Sequence, residues 1–141
     1  PSDNYTLLTQ ILSLLFCYLA HYRETLVNSL RISSPEKRLQ QLVSFYIEQH
    51  YTKPSLSELA GSVGYTPAYL SGKIGKVFGK NFQTLVQEKR LQVAEMLLRT
   101  TNLSVDEIIR TVGYENQTHF HALFRRAFGV SPLRYRISKR G

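Results

Sequence analysis

The chain has a single cysteine, Cys17, so no disulfide can form within it. That suits a reducing compartment. Cys17 and His21 stand four residues apart, close enough on a helix to share a metal. No two further ligands lie nearby in sequence, so an ordinary helix face is the simpler reading, and no metal or cofactor is expected. No signal-peptide pattern opens the chain. The most apolar stretch, Ile11 to Ala20, falls short of the ~20 apolar residues that a bilayer-spanning helix needs, so no membrane is expected. No phosphate-binding glycine loop, paired carboxylate or nucleophile–base–orienter set is present, which argues against an enzyme. Apolar and polar residues nowhere alternate with period two, so the chain is expected to be all-α. Pro1 stands where an initiator Met would, which reads as a fragment or a processed product.

Acidic residues are also scarce. The formal charge is +8 over 141 residues. In residues 1–34, Arg23 and Arg31 balance Asp3 and Glu24, so the whole excess lies in 35–141. The last 17 residues hold Arg125, Arg126, Arg134, Arg136, Lys139 and Arg140 and no acid. Such clustering points to a polyanionic partner. A hydrophobic content of 43% leaves enough apolar surface for a folded core.

What the sequence does hold is an internal repeat. SLSELAGSVGY occupies 55–65 and SVDEIIRTVGY occupies 104–114. After one inserted residue, Glu115, the match resumes as Leu70/Phe120, Ile74/Phe124, Phe78/Phe128 and Gly79/Gly129. One supersecondary unit has been used twice. Each copy opens on an S-x-x-E capping box, Ser55 with Glu58 and Ser104 with Glu107. Each turns at Gly64 or Gly113, where a tight turn wants positive φ. A second helix follows, about 67–78 or 117–128. Thr66-Pro67 starts the first and Asn116 caps the other, while Gly79 and Gly129 end them. Helix, glycine turn, helix is the helix-turn-helix plan.

Between the copies, about 82–100, an apolar stripe (Phe82, Leu85, Val86, Leu91, Ala94, Leu97, Leu98) runs along a segment free of Gly and Pro. As a helix it is ~28 Å long, enough to hold two reading helices about one DNA turn apart, ~34 Å. Upstream, Leu8, Ile11, Leu12, Leu15, Leu19, Tyr22, Leu26 and Leu30 predict an amphipathic helix over 5–31, broken at Ser33-Ser34-Pro35. A helix over 35–51 is expected to bury Leu39, Leu42, Val43, Tyr46 and Ile47. Ser131-Pro132 starts a last short helix, about 132–137. The expected organisation is therefore an amphipathic helix within 1–34 and a DNA-binding domain over 35–141. In the latter, helix-turn-helix units at 55–79 and 104–129 flank the connector.

The two units, the connector with Arg90-Leu91…Ala94…Leu97-Leu98, and Val112-Gly113-Tyr114…Phe120…Phe124…Phe128-Gly129…Ser131-Pro132…Tyr135-Arg136 resemble the AraC/XylS family of bacterial transcription regulators. The resemblance covers about 35–137. It implies two recognition helices in successive major grooves of double-stranded DNA, in a bacterial cytoplasm beside the nucleoid. It further implies a separate N-terminal sensing or dimerising domain in full-length members, and so a linker or dimerisation helix over 1–34. A small-molecule effector would bind that domain, outside this chain. RNA polymerase is a partner the resemblance brings with it.

In the second recognition helix Phe120, Leu123, Phe124, Ala127 and Phe128 take the core. Gln117, Thr118, His121 and Ala122 then fall outward near the N-terminus, where base contacts come from. Gln117 can pair with an adenine edge, Thr118 can donate or accept, His121 can donate to guanine, and Ala122 can touch a thymine methyl. Arg125 and Arg126, one turn on, suit phosphates, as do the N–H groups at Asn116. The first recognition helix offers Ala68, Ser71 and Gly72 for bases, and Lys73 and Lys76 for phosphates. Its glycines, Gly72 and Gly75, leave three accounts open: contact with thymine methyls and phosphates alone, close backbone approach to DNA, or a helix firmed by binding. Arg90 on the connector either bridges the two units or faces solvent. The apolar face of 5–31 either packs on helix 35–51, pairs with a second copy, or meets a sensor domain. A structural DNA binder of low specificity, a DNA-targeted enzyme and a protein-docking module remain the rival functions.

Overall fold

The computed structural model describes residues 2–32 and 34–140. Among them every regular element is a helix: α1 (Ser2–Ile32), α2 (Pro35–His50), α3 (Leu56–Ser62), α4 (Pro67–Phe78), α5 (Phe82–Thr100), α6 (Val105–Thr111), α7 (Gln117–Phe128) and α8 (Pro132–Arg140). The chain divides into two units, Pro1–Arg38 and Leu39–Gly141.

The first unit is essentially α1. Ser33 and the side chain of Leu30 lie outside the described residues. Within its own unit the helix has nothing to pack its apolar stripe against, and Leu8, Leu12, Leu15 and Leu19 are all exposed. The helix departs from expectation in one respect. Arg23 and Glu24 are the only charged residues in Asn4–Asn28, so that segment is long and apolar enough, by length and composition, to cross a membrane. A buried core helix of a soluble protein and a signal sequence near an N-terminus pass the same test. Pro35 opens α2 behind Ser34, whose hydroxyl accepts from the Lys37 amide at 3.3 Å.

The second unit has two cores, one for each repeat. Val43, Tyr46 and Ile47 of α2 pack with Leu59 and Ala60 of α3, Leu70 and Ile74 of α4, and Val86 of α5. Leu91, Ala94 and Leu98 of α5 pack with Ile108 and Ile109 of α6, Val112 and Tyr114 of the turn, and Phe120 and Phe124 of α7. The connector thus turns one face to the first core near its start and another to the second core a turn later. Truncating Phe120 or Phe124, both fully buried, would cost about 3–5 kcal/mol. Two expected core residues stay outside. Leu42 lies at the edge of the α2 stripe and is exposed. Ala127 is exposed too; that end of the core is closed by the rings of Phe128 and Tyr135, 5.3 Å apart.

The caps explain where the helices stop and start. Asn81 caps α5 by accepting from the Thr84 amide at 2.8 Å. Gly79 and Gly129 end α4 and α7 in the left-handed conformation, each returning its N–H to the preceding turn. The full capping box forms only in the second copy. There Ser104 accepts from the Glu107 amide, and Glu107 Oε2 accepts from the Ser104 amide at 2.8 Å. In the first copy Ser55 caps the Glu58 amide, but its own N–H donates to the Tyr46 hydroxyl at 2.9 Å, so Glu58 is left without that role.

Candidate nucleic-acid interface

The second repeat builds its reading helix from a fixed core face outward. Asn116 Oδ1 accepts from the His119 amide at 3.0 Å and sets the start of α7. Phe120 and Phe124 sink into the core with ring centroids 5.8 Å apart, and Tyr135 of α8 meets Phe124 edge-on at 5.6 Å. With that face fixed, Gln117, Thr118, His121 and Ala122 are all exposed, and so are Asn116, Arg125 and Arg126. The structure thus brings every residue expected to read or hold DNA in the second copy onto the open face of one helix. Asn116 spends its side-chain oxygen on the cap, so it offers a ligand its nitrogen and the free N–H groups beside it.

The first repeat does the same with less. Leu70 and Ile74 hold α4 to its core, and Ala68, Ser71, Gly72, Lys73, Gly75 and Lys76 are exposed. A Cβ built on Gly72 or Gly75 meets nothing within 4 Å, so neither glycine is demanded by the protein's own packing. Sequence reasoning missed two aromatic residues here. Tyr65 and Tyr69 are 41% and 50% exposed, form an edge-to-face pair at 4.8 Å, and Lys73 lies over the Tyr69 ring at 5.6 Å. The aligned place of Tyr69 in the second copy is His119, beside the reading positions, and that alignment was the signal available. The face is therefore poor at Ala68 and Gly72 but has a phenolic and cationic ledge next to them.

The basic run at the C-terminus divides into two kinds. Arg136 donates to the Leu98 carbonyl at 3.0 Å and to Thr101 O at 3.4 Å. Arg140 donates to Asn102 Oδ1 at 2.8 Å and also to the Thr101 carbonyl. Both satisfy the open C-terminal end of α5, where positive charge is favourable. They are fasteners rather than free charges for a polyanion. Arg125, Arg126 and Arg134 are exposed and engage no acceptor or carboxylate among the described residues. Further bonds hold α8 in place. The Tyr135 hydroxyl donates to Glu95 Oε1 at 2.6 Å, and Arg99 pairs with the same carboxylate. The Arg99 guanidinium, helped by the Tyr135 hydroxyl, holds the Glu95 carboxyl below its usual range against the opposing effect of burial. The same bond to Glu95 pushes the Tyr135 phenol up.

Arg90 resolves as a bridge. Its Nε donates to the Tyr51 carbonyl at 2.7 Å and Nη2 to the Thr52 carbonyl at 3.3 Å. Its guanidinium lies over the Tyr114 ring at 5.0 Å. Among the described residues no group of three His, Cys, Asp or Glu side chains could hold a metal.

Residues 59–138 match the family described as a helix-turn-helix domain. Regulatory protein SoxS of Escherichia coli strain K12 is 31% identical over 104 residues, which cover 73% of this chain and 96% of SoxS. The chain belongs to the AraC/XylS family of transcription regulators. Among solved structures, the C-terminal domain of AraT, a response regulator from Geobacillus stearothermophilus, is 34% identical with a TM-score of 0.64, covering 74% of this chain and 86% of that one. The DNA-binding domain of AdpA, solved in complex with a target DNA, is 25% identical with a TM-score of 0.65, covering 77% and 95%. Several curated relatives are longer: the chain spans 37% of the length of one and 42% of another. The AraC/XylS membership accounts for the two helix-turn-helix repeats and the connector between them.

Proposed function

We propose that this chain binds double-stranded DNA sequence-specifically and so regulates transcription, with α4 and α7 in successive major grooves. The observation that carries the reading is the outward face of α7, where Gln117, Thr118, His121 and Ala122 stand exposed above a rigid aromatic core, followed by the unneutralised Arg125 and Arg126. The DNA-bound AdpA domain supports the same use of the fold. Gln117 and His121 carry most of the direct readout. In the first repeat Ala68, Ser71 and Gly72 add contacts to bases, while Tyr69, Lys73 and Lys76 grip phosphates. The chain acts as a binding domain and not as an enzyme, in a bacterial cytoplasm. RNA polymerase is the machinery it addresses, and any small-molecule effector binds outside this chain.

Pairing of α1 with a second copy completes the proposal. Tyr5, Leu8, Leu12, Leu15, Leu19, Tyr22 and Leu26 follow alternating three- and four-residue steps, the seam of a coiled coil, and all are exposed. Sedimentation across concentration should give a monomer–dimer equilibrium that Leu12→Lys with Leu19→Lys abolishes. A strict monomer with an undisturbed α1, or recovery of the chain with membranes, would sink the pairing.

The deciding experiment for DNA reading is selection of bound duplexes from a random pool. Two boxes about one helical turn apart are expected. The rival reading, a structural binder of low specificity, draws on the two exposed glycines of α4. A specific-to-nonspecific affinity ratio near one at physiological salt would favour it.

A further inference from the structure

The two repeats share Val-Gly-Tyr, yet the second copy uses it for something the first does not. Gly64 has φ +75°, and a Cβ built there meets nothing within 4 Å. Gly113 has φ +99°, and a Cβ there would lie 2.6 Å from the Thr52 carbonyl oxygen, 2.9 Å from its Cα and 3.1 Å from its carbonyl carbon. Those are backbone atoms, so they cannot swing aside as a side chain would. The turn of the second repeat is thus seated directly on the strap that joins α2 to the first repeat. Tyr65 is exposed, whereas Tyr114 is only 7% exposed and lies beneath Arg90. Arg90 completes the joint through the Tyr51 and Thr52 carbonyls. Tyr51 packs against both cores.

The joint ties the two cores together at a place other than α5 and resists twisting or bending of α7 relative to α4. We propose that the Arg90–Thr52–Gly113 contact locks the two reading helices into one relative position, so that the spacing between the two DNA boxes, and not only their sequence, determines specificity. Arg90 and Gly113 act as positioning residues. The inference rests on the DNA-reading function proposed above. Its physical basis is that inserting one base pair turns the second box about the helix axis, so a rigid pair of readers cannot follow while a loose pair can.

The test uses this chain and its selected duplex, with the spacer kept, lengthened or shortened by one base pair. Wild type should bind the altered spacings about tenfold more weakly. For Arg90→Met and Gly113→Ala that penalty should fall to about threefold or less, with Arg90→Lys in between. Leu39→Ala, a destabilising change in the first core away from the joint, should lower the melting temperature and leave the spacing penalty at the wild-type value. Circular dichroism establishes that each variant is folded. An unchanged penalty in folded Arg90→Met and Gly113→Ala overturns the lock. So does a wild type that binds its boxes specifically but tolerates every spacing. A wild type that binds no duplex specifically instead removes the DNA-reading function, and the lock with it.

Discussion

The Tyr46 hydroxyl donates to the Ser55 carbonyl at 3.1 Å and accepts from the Ser55 amide at 2.9 Å. One phenol therefore does at the start of α3 what Glu107 does at the start of α6. The two S-x-x-E signatures look alike in sequence but differ in consequence. Glu107→Ala should cost about 1 kcal/mol in urea unfolding, as the loss of a capping partner does. Glu58→Ala should stay within about 0.5 kcal/mol, the range of an ordinary surface change. Tyr46→Phe should cost roughly 1–3 kcal/mol, because a partly buried N–H loses its acceptor. Equal losses at Glu58 and Glu107 would contradict this account.

The glycines of α4 separate folding from reading. A Cβ at Gly72 or Gly75 meets open space, and both positions have helical backbone. Gly75→Ala and Gly72→Ala should each raise stability by about 1 kcal/mol through helix propensity. If α4 reads DNA by close backbone approach, Gly72→Ala will weaken DNA binding while the melting temperature rises. If it contacts methyls and phosphates alone, binding will hold or improve. Opposite signs in the melt and in the affinity would decide for close approach.

Most of the architecture was legible because it is written locally. The repeat, the Pro and Asn helix starts, and the glycine stops of α4 and α7 each depend on residues within a turn of one another. What was not legible depends on partners far along the chain. Tyr46 reaches across helices to replace Glu58. Arg136 and Arg140, counted in sequence with the DNA-facing charges, turn back to the Leu98 and Thr101 carbonyls at the end of α5, 38 and 39 positions away. Tyr65 and Tyr114 are aligned and identical, yet one is exposed and the other buried, because only the second turn has a strap to dock on. Leu42 shows the same limit from another side: a helical stripe names a face, but its edges depend on which neighbour covers them.

The bond between Tyr135 and Glu95 predicts a pH dependence. Glu95 has a depressed pKa in the folded chain, so its contribution is present above the ordinary value near 4.5 and is lost as pH falls through the depressed one. Tyr135 has a raised pKa, so its contribution is held below about 10 and lost as pH rises through the raised value. Tyr135→Phe should therefore cost roughly 1–2 kcal/mol near neutral pH. The cost should shrink towards both extremes. A difference in urea midpoint that stays constant from strong acid to strong alkali would show that the bond contributes nothing.

Readout is expected to be lopsided between the units. Gln117 and His121 carry long hydrogen-bonding side chains at positions where the first copy has Pro67, which can make no such bond, and Ser71, whose hydroxyl has little reach. Against a library of sites, Gln117→Ala and His121→Ala should each relax preference at one or two base pairs of the second box, by about 1–3 kcal/mol per position. Ser71→Ala should change the first box by less. If Ser71→Ala relaxes specificity more than either of the others, the reading surface has been assigned to the wrong unit.

Arg126 and Arg136 sit ten positions apart in the same basic run, yet their environments differ. Arg126 has no acceptor among the described residues, while Arg136 donates to Leu98 O and Thr101 O. A phosphate contact releases counterions, so losing it flattens the salt dependence of binding; losing a fastener at a helix end lowers stability instead. Arg126→Ala, and Lys76→Ala in the first unit, should weaken binding to all duplexes alike and reduce the slope of log K against log salt by about 1 each, with the melting temperature unchanged. Arg136→Ala should lower the melting temperature and leave the slope of the folded protein as it was. Measured together, the slope and the melt assign each arginine to DNA or to the fold. An Arg136→Ala protein that melts like wild type but shows a flatter slope would move that residue to the DNA side.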